Sequence, residues 1–177
     1  MEYIDRSLGT TLQVTHDIFP VITLTGPRQS GKTTLCRHMY PDMPYINFEN
    51  VQTGLLFNDN PVGFIDSFSN GAIIDEAQIE PTVFRALQTV VDEDRHVGRR
   101  RKFIITGSSN FSIMANSSES MAGRTAPLTL LPLSVNEILQ NRKDYVSTNE
   151  LMYLGGYPQI WTSPIKAAEI ILQSYID

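Results

Sequence analysis

The chain has 177 residues, of which 41% are hydrophobic and 19% are charged, a balance that fits a globular domain and excludes global disorder or a large multidomain machine. Fourteen Lys and Arg against nineteen Asp and Glu give a net charge of −5, so nucleic-acid binding is not indicated beyond a local patch. The single cysteine, Cys36, excludes an internal disulfide. No apolar run approaches the ~18 residues of a membrane span and no signal peptide is visible, so we expect a cytoplasmic protein without membrane contact.

Helical and strand patterns alternate over the first 110 residues. Apolar residues at intervals of four predict a short leading helix that ends before residue 15, and these are Ile4, Leu8 and Leu12. Four apolar runs predict strands at Val21–Thr25, Tyr45–Phe48, Ala72–Ile74 and Phe103–Thr106. Helices are predicted between them. The first runs from Gly31 to Pro41, and the second region, between the second and third strands, forms one or two short helices broken by Pro61. The third has an apolar stripe of Val83, Leu87, Val90 and Val91. Apolar strands that alternate with helices predict an α/β fold with a mostly parallel sheet covered on both faces.

The second part of the chain adds one more strand and a helical region. Leu128–Leu133 is a fifth apolar run, and Ser134 with Glu137 has the pattern of a capping box. The last 28 residues have mostly helical spacing, interrupted at Gly155–Pro158. Helical spacing continues almost to Asp177 without a stop signal, so we expect a partner segment beyond it.

The most informative motif lies between the first strand and the following helix. Residues 26–33 read Gly-Pro-Arg-Gln-Ser-Gly-Lys-Thr, which matches the phosphate-loop pattern. Glycines let the backbone N–H groups converge on phosphate oxygens at the positive end of the helix. Lys32 would add a charge for the β- and γ-phosphates, and Thr33 would offer its hydroxyl to magnesium. The predicted nucleotide-binding residues are Gly26, Pro27, Arg28, Gln29, Ser30, Gly31, Lys32, Thr33 and Thr34.

Two carboxylates end the third predicted strand, at the edge where open parallel sheets bind ligands. Asp75 is predicted to hold magnesium together with Thr33. Glu76 is predicted to polarise the attacking water as general base, a role worth ~10²–10⁴ in rate. The plainer alternative is that both residues cap the next turn. Gln78 orients water or contacts a partner, or else it is an exposed loop residue.

Polar residues also follow the fourth predicted strand, from Thr106 to Asn110. Ser108 or Ser109 either senses the γ-phosphate or caps a helix. Arg124 either neutralises phosphate charge as a sensor or finger, in cis or in trans, or is a solvated side chain.

Other charged features receive plainer interpretations. The basic run Arg99–Lys102 is interpreted as a solvated loop, with a contact to a partner or to nucleic acid as the alternative. Arg28 lies near negative charge in any case, and an ion pair with Glu49 is an equally good interpretation. The three histidines show no metal-binding spacing, so magnesium is the metal that the sequence predicts.

In this order, the motifs resemble the AAA_14 group of bacterial and archaeal AAA-type ATPases. The matching segments are Gly26–Thr34, Tyr45–Glu49, Ile74–Gln78, Thr106–Ser109, Ser120–Arg124 and Pro132–Ser134. The resemblance implies a three-layer P-loop NTPase sandwich with five strands in the order 5-1-4-3-2. It implies an ATPase core at residues 1–145, the start of a helical region at 146–177, and a further C-terminal domain that is absent here. The usual sensor of this group is often Asn, whereas here hydroxyls precede Asn110.

The sequence therefore predicts an ATPase that binds ATP and hydrolyses it with magnesium. Its predicted catalytic residues are Glu76, Lys32, Arg124 and Ser108. Besides ATP and ADP, the expected partners are the absent C-terminal domain and a protein partner or oligomer. One alternative is a nucleotide-gated interaction module with little or no turnover. Another is a small-molecule kinase, which Glu76 disfavours because a water-activating carboxylate would waste ATP.

Overall fold

Five parallel strands form the centre of the molecule. The computed structural model describes residues 3–108, 121–142, 146–164 and 167–173. The strands are β1 (Val21–Gly26), β2 (Tyr45–Asn47), β3 (Gly71–Asp75), β4 (Lys102–Ser108) and β5 (Thr125–Thr129). They lie in the order β2-β3-β4-β1-β5, and every neighbouring pair is parallel. This confirms the α/β class and the predicted order 5-1-4-3-2.

Helices connect the strands and continue after the sheet. They are α1 (Leu8–Ile18), α2 (Lys32–Met39), α3 (Val51–Asp59), α4 (Pro61–Asp66), α5 (Val83–Val97), α6 (Val135–Asn141), α7 (Thr148–Leu154), α8 (Pro158–Thr162) and α9 (Ala168–Gln173). A short 3-10 helix covers Ala77–Ile79. The break at Pro61 and the capping box at Ser134 are confirmed, since the Ser134 hydroxyl accepts from Glu137 N–H and the Glu137 carboxylate accepts from Ser134 N–H. No described helix has the length and apolar character that a membrane crossing requires.

Two apolar cores cover the two faces of the sheet. Alternate residues of a strand point to opposite faces, so Ile74 and Ile105 pack with α3, α4 and α5 in core 1, whereas Ile73 and Ile104 pack with α1 and α2 in core 2. All four side chains are fully buried. The result is the predicted three-layer sandwich.

A third core holds the helical region together. It combines Leu133 and Ile138 with apolar side chains of α7, α8 and α9. The backbone joins the same parts, because Leu133 N–H donates to Gly156 O at 2.6 Å. Leu133 and α6 therefore pack with the later helices although they precede residue 146, and the division of the chain at residue 145 remains a prediction.

Two predicted elements differ from the structure. The fifth strand covers Thr125–Thr129 and not Leu128–Leu133. Among the described strands, β5 pairs with β1 alone and lies at the sheet edge, where a partly exposed strand that contains Pro127 is tolerated. Of the apolar residues in the predicted run, Leu130 and Leu133 are buried beyond the strand, in cores 2 and 3, whereas Leu131 is exposed. The leading helix begins at Leu8, after Ile4, and continues to Ile18 through the predicted loop.

Candidate functional site

The loop between β1 and α2 has the backbone of an anion cradle. Gly26, Gln29 and Gly31 have φ values of 151°, 61° and 94°, and Gln29 and Gly31 flank Ser30 in a concave turn of the kind that gathers N–H groups around an anion. A side chain at Gly26 would be impossible, because its Cβ would lie 2.1 Å from Leu130 O. The loop leads into α2, whose first N–H groups have no partner within the helix.

Lys32 lies folded onto this loop. Its ammonium donates to Gly26 O at 2.9 Å and to Pro27 O at 2.8 Å, and the residue is 6% exposed. Burial lowers the pKa of Lys32, while the carboxylates of Glu76 and Asp75 oppose that shift. The loop therefore holds a cation at its centre.

Asp75, the last residue of β3, accepts four hydrogen bonds. Its Oδ2 accepts from the hydroxyls of Thr33 and Tyr45, both at 2.7 Å. Its Oδ1 accepts from Glu76 N–H at 3.1 Å and from the hydroxyl of Thr106. The structure thus brings together the two side chains predicted to hold magnesium. It adds Tyr45, which sequence reasoning missed, and Thr106, which was predicted to lie at this sheet edge but not to contact Asp75.

Tyr45 reaches this carboxylate from the neighbouring strand β2. Its ring lies under the Arg37 guanidinium, 5.0 Å from the ring centroid. Burial and the hydrogen bond to Asp75 raise the pKa of Tyr45 above its ordinary value, so the hydroxyl remains a donor at neutral pH. The predicted strand order places β2 beside β3, and this was the one feature of the sequence analysis that could have indicated the contact.

Glu76 follows Asp75 in a strained conformation. Its φ of 54° lies in the left-handed region, which non-glycine residues rarely adopt and which is often found at functional sites. Its carboxylate accepts from the Gln78 side-chain amide. Gln78 is therefore not an exposed loop residue: it is partly buried and contacts Glu76.

A cavity of about 680 Å³ lies over the phosphate loop. Three parts of the chain line it. The loop and the strand ends contribute Arg28, Gln29, Gly31, Lys32, Thr33, Thr34, Glu49 and Glu76, the N-terminal segment contributes Tyr3, Ile4 and Arg6, and the later part contributes Leu133, Pro158, Gln159 and Thr162. The cavity is large enough for a small-molecule ligand, and its lining combines cations and two carboxylates with apolar side chains.

Arg6 is the main site residue that the sequence did not reveal. Its guanidinium donates to Ser30 O at 2.7 Å, to Leu131 O at 2.6 Å and to Glu137 Oε1 at 3.2 Å. The side chain is only 5% exposed. The acceptors lie 24, 125 and 131 residues away in sequence, so no local pattern could have indicated these contacts.

Glu137 carries the negative charge that matches Arg6. Burial raises the pKa of Glu137, but hydrogen bonds from Ser134 and Ser7 N–H and the charge of Arg6 more than offset it, so the pKa lies below its ordinary value. The pair is therefore an ionised, buried bridge between the N-terminal segment and α6.

Arg124 lies away from the site within this chain. Its carbonyl accepts from Val21 N–H at 3.2 Å, at the start of β1, whereas the phosphate loop follows the other end of that strand, roughly 16 Å away at 3.3 Å per residue. Its guanidinium binds both carboxylate oxygens of Asp92, at 2.6 and 2.7 Å. The structure does not bring Arg124 to Lys32. The role that remains a prediction is therefore neutralisation of phosphate charge in trans, at the site of another chain.

The other predicted residues have mixed positions. Ser108 ends β4 beside Gly26, but it does not line the cavity described here, and Ser109 and Asn110 lie outside the described residues. Across the described ranges, no ion pair joins Arg28 to Glu49, although both line the cavity.

The interpretation of Arg99–Lys102 as a solvated loop is wrong for two of its members. Arg101 is 2% exposed and its guanidinium binds both oxygens of Asp94, at 2.8 and 2.7 Å. The Lys102 ammonium donates to Asp17 O and Phe19 O. A run of like charges looks solvated in sequence, but each of these cations has found buried or backbone acceptors in the tertiary structure.

Comparison with known proteins identifies a family that matches most of this chain. The family model for the AAA domain of AAA_14 matches residues 19–139. The chain is 35% identical over 146 residues to uncharacterized proteins of Mycobacterium bovis and Mycobacterium tuberculosis, covering 81% of this chain but 31% of either relative. It therefore spans about a third of the length of these curated relatives.

Solved structures share its fold at low sequence identity. A Walker-type ATPase of Pyrococcus abyssi matches with a TM-score of 0.60 and 15% identity, over 90% of this chain and 65% of that one. A signal transduction ATPase with numerous domains and a tetratricopeptide repeat sensor, from Pyrococcus horikoshii, matches with a TM-score of 0.59 and 16% identity, over 90% and 29%. AMPPCP-bound DnaA from Aquifex aeolicus matches with a TM-score of 0.58 and 12% identity, over 92% and 58%.

Proposed function

The chain belongs to the AAA_14 family of AAA domains, a family of P-loop ATPases, and from this premise we propose that it binds ATP with Mg²⁺ and hydrolyses the bond to the γ-phosphate. One observation carries the proposal. The Thr33 hydroxyl, at the start of the phosphate-loop helix α2, lies 2.7 Å from the carboxylate of Asp75, the last residue of β3. This contact joins the loop that receives phosphate to the acid that serves the metal.

The residues present fit magnesium. A hydroxyl and a carboxylate are hard oxygen donors, and Mg²⁺ is commonly held by one or two such protein groups with phosphates and waters completing its shell. The described residues contain no cluster of three or more His, Cys, Asp and Glu that would form a metal cage from protein alone. When bound, Mg²⁺ would neutralise charge on the β- and γ-phosphate oxygens.

Each site side chain has a proposed task in hydrolysis. Lys32 exchanges the carbonyls of Gly26 and Pro27 for phosphate oxygens, which its position on the loop supports. The Glu76 carboxylate orients the attacking water and accepts its proton as the water oxygen attacks the γ-phosphorus, while the bond from that phosphorus to the bridging oxygen breaks and ADP leaves. The hydrogen bond from Gln78 uses one acceptor position of Oε2, and the other positions of the carboxylate can receive the water.

A nucleotide-gated module with little turnover is the second candidate function. The observation that favours it is the composition of the cavity, because the N-terminal segment, the sheet and the helical region all contribute walls. A nucleotide that touches all three parts can stabilise one arrangement of them, which is how a ligand shifts a conformational equilibrium.

Matched substitutions separate these candidates. Glu76→Gln should keep calorimetric binding of Mg²⁺ and ATP while lowering phosphate release at least about tenfold, and Lys32→Ala should lose both. Glu93→Gln removes the same charge from an exposed position on α5 and should leave both unchanged. Unchanged turnover in Glu76→Gln would remove that residue from the mechanism, and Glu49→Gln would then test the other cavity carboxylate. Tight ATP binding without turnover in the wild type would favour the gated module.

A further inference from the structure

Arg6 connects three elements that meet over the nucleotide cavity. Its Nη1 binds the phosphate loop at Ser30 O, its Nη2 binds the segment after β5 at Leu131 O, and its Nε binds α6 at Glu137. One side chain therefore holds the loop against the segment that leads into the helical region.

The contact with Ser30 bears directly on the anion cradle. In a trans peptide the carbonyl and the following N–H point in opposite directions, so a guanidinium that holds Ser30 O fixes the direction of Gly31 N–H. Gly31 also has the helical region beside it, since a Cβ there would lie 3.5 Å from Arg6 Nη1 and 3.7 Å from Pro158 Cγ. The loop, Arg6 and α8 thus converge at one glycine.

The second half of the connection runs into core 3. Leu133 lies between the two Arg6 acceptors Leu131 and Glu137 in sequence, belongs to core 3, and donates its N–H to Gly156 O. Hydrogen bonds of 2.6–3.2 Å therefore connect the phosphate-loop peptide to the helical region.

We propose that Arg6 is a positioning residue that couples occupancy of the phosphate loop to the position of the helical region. The inference rests on the proposed nucleotide binding. An anion in the cradle attracts the N–H groups of the loop, and the rigid fork of the guanidinium transfers the adjustment to Leu131 and Glu137. A lysine ammonium carries the same charge but lacks the fork that reaches three acceptors at once.

The chain contains its own reporter for this coupling. Trp161 is the single tryptophan, it is buried in core 3, and its indole N–H donates to Gly155 O at 2.8 Å. It lies on α8, whose residues Pro158 and Thr162 line the cavity. Its fluorescence can therefore follow the helical region without a label.

The experiment measures ADP and Mg²⁺ binding by calorimetry and the Trp161 emission change at saturation. We expect a clear change in the wild type and, in Arg6→Lys, less than about a third of it even when added ADP compensates for weaker binding. Arg85→Lys, an exposed position on α5, is the matched control and should behave as wild type. A wild-type amplitude in saturated Arg6→Lys, or no emission change in a wild type that binds ADP, would overturn the coupling.

A second variant decides the case in which Arg6→Lys fails to fold or to bind. Glu137→Gln keeps Arg6 and its contact to Ser30 O but weakens the hydrogen bonds that Glu137 accepts from Arg6, Ser7 and Ser134, so ADP should still bind while the emission change falls. A full change in that variant would overturn the proposal. Absence of calorimetric binding in the wild type would instead defeat the proposed function.

Discussion

Replacement of Asp75 by Asn tests the carboxylate that accepts four hydrogen bonds at the centre of the site. The carboxylate is 4% exposed and its two oxygens accept from Thr33, Tyr45, Thr106 and Glu76. An amide keeps one accepting oxygen and turns an NH₂ group toward two former donors, although hydroxyls can rotate to accept. Hydrogen bonds to a charged group contribute about 1.5–3 kcal/mol and neutral ones about 0.5–1.5 kcal/mol, so we expect a loss of about 2–4 kcal/mol in unfolding free energy.

That loss leaves most domains folded, because typical stabilities are about 5–15 kcal/mol, and ligand linkage can then be measured. With ADP and Mg²⁺ at 100 times the dissociation constant, the wild type should gain about 2.7 kcal/mol. Asp75→Asn should gain no more from ADP with Mg²⁺ than from ADP with chelator. Urea unfolding under each condition measures both quantities, and Asp42→Asn, at an exposed position, is the control. A variant that keeps wild-type stability and a magnesium-dependent gain would refute the reasoning.

Three further predictions concern buried groups elsewhere. Asp94→Ala leaves the Arg101 guanidinium buried without its main partner and should cost about 3–5 kcal/mol in urea unfolding, whereas Asp66→Ala, which removes a half-exposed partner, should cost about 0–1 kcal/mol. Burial raises the pKa of Cys36 from 9.0 to about 12, so the unfolded thiol ionises first and unfolding free energy should fall as pH rises above 9 in the wild type but less in Cys36→Ala. Burial lowers the pKa of His16 below 6.5, so unfolding free energy should fall as pH drops below 6.5, with a smaller slope in His16→Phe; equal slopes would contradict this.

The parts of the site that follow a strand or open a helix could be predicted from sequence. The phosphate loop and Asp75 are local patterns, and parallel strands bring their carboxyl ends to one edge. The contact between Thr33 and Asp75 therefore follows from motif and topology together. The order of the strands came from the family resemblance, because apolar runs alone do not state which strands are neighbours.

The missed residues depend on distant parts of the chain. Arg6 looks like any surface arginine near a chain start, and only the folded structure reveals that Ser30, Leu131 and Glu137 surround it. The error at β5 has a related cause. An edge strand needs little apolar character, so Leu130, which packs in core 2 beyond the strand, gave a stronger pattern than the strand itself.

The hydrogen bonds of Asp75 explain how the site can be ordered before a ligand arrives. An ionised carboxylate offers about four lone-pair positions, and four donors occupy them here. The Thr33 hydroxyl uses its hydrogen for Asp75 and keeps its own lone pairs, so it can bind a cation without giving up that contact. Tyr45 and Thr106 meanwhile hold the carboxylate in place from the strands on either side of β3. Because four donors already contact the carboxylate oxygens of Asp75, a magnesium ion bound as proposed would take most of its ligands from nucleotide phosphates and water, and metal and nucleotide should then bind as one unit.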